Sequence, residues 1–128
     1  MLSKVAYVTL FVNDQDKALD FYTNVLGFEK RADNPLPTGT RFLTVGLAGQ
    51  ELQVVLWPGT HGNAKPAPGL VPGACIFETS DCRAAFETLK ARGVEFETPQ
   101  IIEQPVALVA IFRDPDGNRL MLRENRKP

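Results

Sequence analysis

The chain predicts an α+β fold: two βαβββ modules forming a curled mixed β-sheet, an open barrel around a cavity, with the helices outside. Three observations carry this expectation. First, one pattern is written twice. Tyr7-Val8-Thr9-Leu10-Phe11-Val12-Asn13-Asp14 leads to Ala18, Phe21, Tyr22 and Leu26-Gly27-Phe28. Ala74-Cys75-Ile76-Phe77-Glu78-Thr79-Ser80-Asp81 leads to Ala85, Leu89 and Gly93-Val94-Glu95-Phe96. Tyr7 recurs as Ala74 and Asp14 as Asp81 at one common offset of about half the chain, which marks one supersecondary unit used twice. Second, each copy ends in a Gly-led strand, Gly49-Gln50-Glu51-Leu52-Gln53 and Gly117-Asn118-Arg119-Leu120-Met121. Third, each copy changes from strand-like to helix-like hydrophobic periodicity at its Asp.

The elements follow in order. Residues 4–12 are rich in β-branched and aromatic types and read as a strand. Asn13 and Asp14 offer helix caps, and Ala18, Phe21, Tyr22 and Val25 form the apolar stripe of a helix that Gly27 ends. Strands are expected near 28–32, 41–47 and 51–57, with a loop at Asp33–Gly39 and a turn at Ala48-Gly49-Gln50. In the second copy a strand near 74–79 precedes a helix from Asp81, with Cys82, Ala85, Phe86 and Leu89 on one face and Gly93 at its end. Strands near 94–97, 106–113 and 118–124 complete it, and Asp114-Pro115-Asp116-Gly117 reads as the last hairpin turn.

With 128 residues the chain is one domain's worth, 1–128. It divides into a first module at 1–58, a Pro/Gly-rich connector at 59–73 and a second module at 74–128. An apolar fraction of 44% and a net charge of −1 describe an ordinary globular protein. That balance supplies no basic surface for nucleic acid. No apolar run approaches the ~20 residues of a membrane span, and the N-terminus shows no signal peptide. Two cysteines without secretory features point to reduced thiols in the cytoplasm.

Asp14, Ala18, Phe21-Tyr22 and Leu26-Gly27-Phe28, together with Phe112-Arg113-Asp114-Pro115-Asp116-Gly117-Asn118, resemble the vicinal oxygen chelate superfamily. This group contains glyoxalase I, extradiol dioxygenases, fosfomycin-resistance enzymes and bleomycin-binding proteins. The resemblance covers about Lys4 to Glu124. It implies a metal ligand, His or Glu, on the first and last strand of each module. Those positions fall on Tyr7, Gln53, Ala74 and Met121. A methyl group cannot ligate, and a thioether is too soft for Mg²⁺, Mn²⁺, Zn²⁺ or Ni²⁺. Neighbours two residues away add one carboxylate, Glu51, and the single histidine, His61, sits in the connector. The expectation is a site without metal or cofactor.

Strand parity sends Tyr7, Thr9, Phe11, Glu51, Gln53, Val55, Trp57, Ile76, Glu78, Arg119, Met121 and Arg123 to the cavity side, with Ala74 among them as a ligand position. Val8, Leu10, Val12, Leu52, Val54, Leu56, Cys75, Phe77, Leu120 and Leu122 should pack under the helices. An aromatic-lined cavity with a few polar groups suits a small, partly apolar molecule. The leading expectation is therefore a glyoxalase/bleomycin-resistance-like binder acting as a homodimer. The alternative is a lyase or dioxygenase of the same superfamily, metal-dependent or using Glu51 or Glu78 as base, and a third is a scaffold for protein contact. Charged residues on barrel strands are more often solvated at the rim than catalytic. A thiol on an apolar helix stripe, such as Cys82, is more often core than nucleophile.

Overall fold

A computed structural model describes residues 1–59 and 73–127. The chain falls into two compact units, Met1–Gly62 and Asn63–Pro128. The connector expected at 59–73 lies almost wholly outside the described residues, as does His61.

In the first unit, β1 (Tyr7–Val12) leads to α1 (Gln15–Asp20), followed by β2 (Glu29–Pro35), β3 (Arg41–Gly46) and β4 (Gln53–Pro58). The sheet runs β1-β4-β3-β2, with β1 parallel to β4 and the other pairs antiparallel. The second unit repeats the plan. There β5 (Cys75–Glu78) leads to α2 (Cys82–Ala91), then β6 (Glu95–Phe96), β7 (Ile102–Gln104), β8 (Ala107–Arg113) and β9 (Arg119–Asn125). Its sheet runs β5-β9-β8-β6, with β7 also on β8 and β5 parallel to β9. The α+β class and the doubled module hold. The strands form two separate mixed sheets, and neither closes into a barrel.

The repeated Asp is a helix cap in both units. The Asp14 carboxylate accepts from the backbone N–H of Asp16 and Lys17 at 2.9 and 3.1 Å. Asp81 accepts from the N–H of Ala84 at 3.0 Å. Each cap satisfies donors that a helix start leaves unpaired. Glycines end both helical segments at positive φ, 85° for Gly27 and 88° for Gly93, where a side chain would be strained. After α1 the chain widens into one π-helical turn at Phe21–Val25, in which the Leu26 N–H reaches the Phe21 carbonyl. Phe21 and Tyr22 are buried there, and Tyr22 meets Phe28 edge-on at 5.6 Å.

Under α1 the core consists of Leu10, Val12, Leu43, Val45, Val54 and Leu56, all buried. Removing an aliphatic chain of this size from water contributes about 1.5–3 kcal/mol. Gln15 ties helix to sheet, donating to the carbonyls of Arg41 and Leu56 at 2.9 Å each. Under α2 lie Phe86, Leu89, Phe112, Leu120 and Leu122, with Phe96 stacked between Phe86 and Phe112.

Two departures concern the extent and number of the strands. β2 continues through Asp33 to Pro35, where a loop was expected, because Arg41 grips both Asp33 oxygens at 3.0 and 2.9 Å. β7 was not expected at all. It is three residues long, too short to show alternation in sequence.

Hydrogen bonds from Arg41 hold the Asp33 carboxyl below the usual aspartate value of 3.8. A depressed folded-state pKa contributes stability above the unfolded pKa and loses it as pH falls through the folded value. Asp33→Asn should therefore destabilise the protein at pH 7, with a penalty that shrinks below about pH 4. Urea titrations of both proteins across pH 2–7 check this; a penalty constant over that range would contradict it.

Candidate functional site

In the first unit the predicted side chains gather on the sheet face away from α1. Tyr7, Thr9 and Phe11 on β1 stand in register with Gln53, Val55 and Trp57 on β4. Their alternates Leu10, Val12, Val54 and Leu56 are buried on the helix side. On β3 the same division holds. The Arg41 guanidinium reaches Asp16 of α1 at 2.6 Å, so Leu43 and Val45 share the helix side. Phe42, Thr44 and Gly46 then share the open face with Gln53.

Two contacts define that face. Tyr7, on edge strand β1, meets Phe42 on β3 edge-to-face at 5.8 Å, although β4 lies between their strands. Only a sheet curled toward this face brings rings from non-adjacent strands together. Thr44 is fully buried, and its hydroxyl donates to the Gln53 side-chain oxygen at 2.7 Å while accepting from the Ala32 N–H at 3.0 Å. The Gln53 amide nitrogen carries two further donors. The face thus offers aromatic surface with fixed polar groups beside it.

Glu51 does not join this group. It precedes β4, is exposed, and pairs with Lys4 at 2.9 Å, which holds its carboxyl below the usual glutamate range.

In the second unit Ile76 is the register partner of Met121, and Glu78 of Arg123. Ala74 lies just before β5, and its N–H donates to the Arg119 carbonyl at 2.7 Å. Ala74 and Met121 are thus not opposite one another, whereas Tyr7 and Gln53 are. Met121 is buried with Ala107, Val109 and Ile111, against which Ile102 packs. Glu97 is clamped between Arg113 and Arg119, the latter at 2.7 Å, while one Arg119 terminal nitrogen is buried without a partner. Glu78 is exposed and accepts from Asn125 at 3.3 Å. Between α2 and residues 99–101 a groove of about 560 Å³ is lined by Arg83, Phe86, Lys90 and Ile101. None of the predicted residues borders it.

The donors present do not fit a divalent metal. Tyr7 supplies a phenol, Met121 a thioether, Ala74 nothing, and the Gln53 oxygen is already engaged by Thr44. Among the described residues no three His, Cys, Asp or Glu side chains are grouped to hold an ion.

Four residues of the face, Arg31, Phe42, Thr44 and Gly46, were not anticipated. The available signal was Gly46 at the end of the strand-like run Phe42-Leu43-Thr44-Val45, since glycine inside a strand often marks close approach of another group.

A match to the sequence profile of the Glyoxalase/Bleomycin resistance protein/Dioxygenase superfamily spans residues 4–122, and the chain belongs to that superfamily. Among solved structures, a superfamily member from Sphaerobacter thermophilus is 39% identical, with a TM-score of 0.80 over 97% of this chain and 98% of that one. TnmS3, an antibiotic binding protein from Streptomyces sp. CB03234, is 33% identical, with a TM-score of 0.75 over 97% of each chain. A probable lactoylglutathione lyase of Vibrio cholerae is 27% identical over 131 residues, covering 97% of this chain and 92% of that protein.

Neither cysteine has the surroundings of a nucleophile. Burial pushes both thiols up from the usual value of 9.0, and for Cys82 the nearby Glu124 carboxylate adds to the rise. Iodoacetamide at pH 8 should leave Cys82 unlabelled in the native protein and label it readily in urea. Native labelling at the rate of a free thiol would contradict this burial.

Proposed function

We propose that this protein binds a small, flat, partly apolar molecule on the curled face of its first unit, without a metal or cofactor. The observation that carries the reading is the Tyr7–Phe42 ring pair beside the Gln53–Thr44 hydrogen bond, an aromatic wall with oriented polar groups. Phe11, Val55 and Trp57 extend the apolar surface, and Thr9 adds a hydroxyl. The similarity to an antibiotic binding protein supports a binding role for this fold. Lyase chemistry would need a metal or a placed base, and the named candidates supply neither: Glu51 is exposed and ion-paired with Lys4 away from the face, and Glu78 is solvated.

Taken by itself, the face of the second unit with Ala74, Ile76, Glu78, Arg119 and Arg123 over the buried Met121 is a second candidate surface. The reading includes a cytoplasmic homodimer. Both cysteines are free, as a reducing compartment keeps them. β1 and β5 are edge strands that expose Tyr7 and Ile76, with Val5 exposed just before β1, and a second copy would cover such edges. Light scattering should give twice the chain mass of 14.1 kDa. A monomer mass across a wide concentration range would refute the dimer.

The binding test uses 2-naphthamide, a neutral bicyclic aromatic amide. It should raise the melting temperature and quench Trp57, the single tryptophan of the chain. Tyr7→Ala should weaken binding by roughly tenfold, the effect of losing about 1.4 kcal/mol of aromatic contact. Stabilisation without any change in Trp57 emission would place the ligand elsewhere, and hemithioacetal turnover by the purified protein would favour the lyase reading.

A further inference from the structure

Among the described residues of the first unit, Arg31 brings a cation to the open face, and two features of the backbone put it there. The pairing of β2 with β3 shifts register between Lys30 and Ala32, so Arg31 is the extra residue of a bulge. A bulge leaves its residue unpaired and re-aims its side chain. The strand opposite has glycine at position 46, which is buried. A Cβ added at Gly46 would lie 2.8 Å from Arg31 Cζ, 3.0 Å from Nη1 and 3.1 Å from Nη2. The guanidinium therefore lies over the one position of β3 that has no side chain. Any other residue there would push it off.

Gly46 is the register partner of Gln53, and Gln53 of Tyr7. Arg31, Gln53 and Tyr7 thus stand in one row across the sheet, on the face that carries Phe42 and Thr44. Arg31 is held from behind. Its Nη2 donates to the Leu47 carbonyl at 2.7 Å, and its Nε lies 3.3 Å from the exposed Glu29 carboxylate. Nη1 has no partner. Its side chain is only 24% exposed, so the charge sits against the sheet rather than in bulk water. A tethered guanidinium with a free donor beside an aromatic wall matches the geometry of carboxylate recognition.

We infer that Arg31, seated over Gly46, selects ligands that carry an anionic oxygen, so that the molecule bound on this face is an aromatic acid or its phenolate equivalent. The inference rests on the binding reading above and narrows its ligand class. Arg31 then does more than tie β2 to the turn after β3, because a purely structural tie needs neither a bulge nor a glycine seat.

The test compares 2-naphthoate with 2-naphthamide, which share size and shape and differ in charge, by calorimetry and Trp57 quenching at pH 7. Wild type should bind the acid roughly tenfold to a hundredfold more tightly, the range for a hydrogen bond to a charged group. Arg31→Met should bring that ratio close to one. Gly46→Ala should do the same while keeping the arginine, because its methyl displaces the guanidinium and its backbone needs no positive φ. If Arg31→Met fails to fold, Gly46→Ala carries the test alone. Equal affinity of wild type for both compounds would overturn the inference and leave the binding reading standing. A preference that survives in a folded Arg31→Met or in Gly46→Ala would also overturn it. Binding of neither compound would remove the reading and the inference together.

Discussion

In each unit the first strand lies parallel to the last, β1 against β4 and β5 against β9. Between them the chain must cross over, and the helix that makes the crossing covers one side of the sheet. This pairing sets one side of each sheet under its helix and turns the alternate side chains to the other side. Leu10, Val12, Val54 and Leu56 follow from the ladder as helix contacts, and Tyr7, Thr9, Gln53 and Trp57 as its opposite face. A slip of one residue in β1·β4 would exchange the two sets and bury a phenol and an amide under α1.

The two units use the same ladder for different surfaces. In the first, the face away from the helix keeps Tyr7 at 50% exposure and Gln53 partly exposed, above the buried Thr44. In the second, the strand beside the ladder is apolar and buried through Ala107, Val109 and Ile111, and the polar end is closed by Glu97 between two arginines. The repeat is therefore a repeat of backbone. The first unit presents the aromatic and hydrogen-bonding chemistry.

Much of this was legible in the sequence because it depends on short-range chemistry. Asp14 and Asp81 cap helices, Gly27 and Gly93 end helical segments, and alternation along residues 7–12 and 53–58 separates two faces. What was not legible depends on pairing between distant residues. β2 runs into Asp33–Pro35 because Arg41, on the next strand, holds Asp33. Arg31 reaches the open face through a bulge, and no count of alternating positions in one strand survives an inserted residue. Parity within β5 and β9 was readable as well. The register between them was not, so Met121 faces Ile76 whereas simple repeat spacing pairs it with Ala74.

The central claim is that the β1·β4·β3 face away from α1 receives the ligand. Its most direct test is a two-dimensional NMR titration with 2-naphthoate, following backbone amides and the Gln53 and Arg31 side chains. The account predicts the largest shifts at Tyr7, Arg31, Phe42, Thr44 and Gln53, with Leu10, Val54 and Leu56 nearly still. Shifts concentrated in the α2 groove around Phe86, Lys90 and Ile101, with the first unit unchanged, would contradict it.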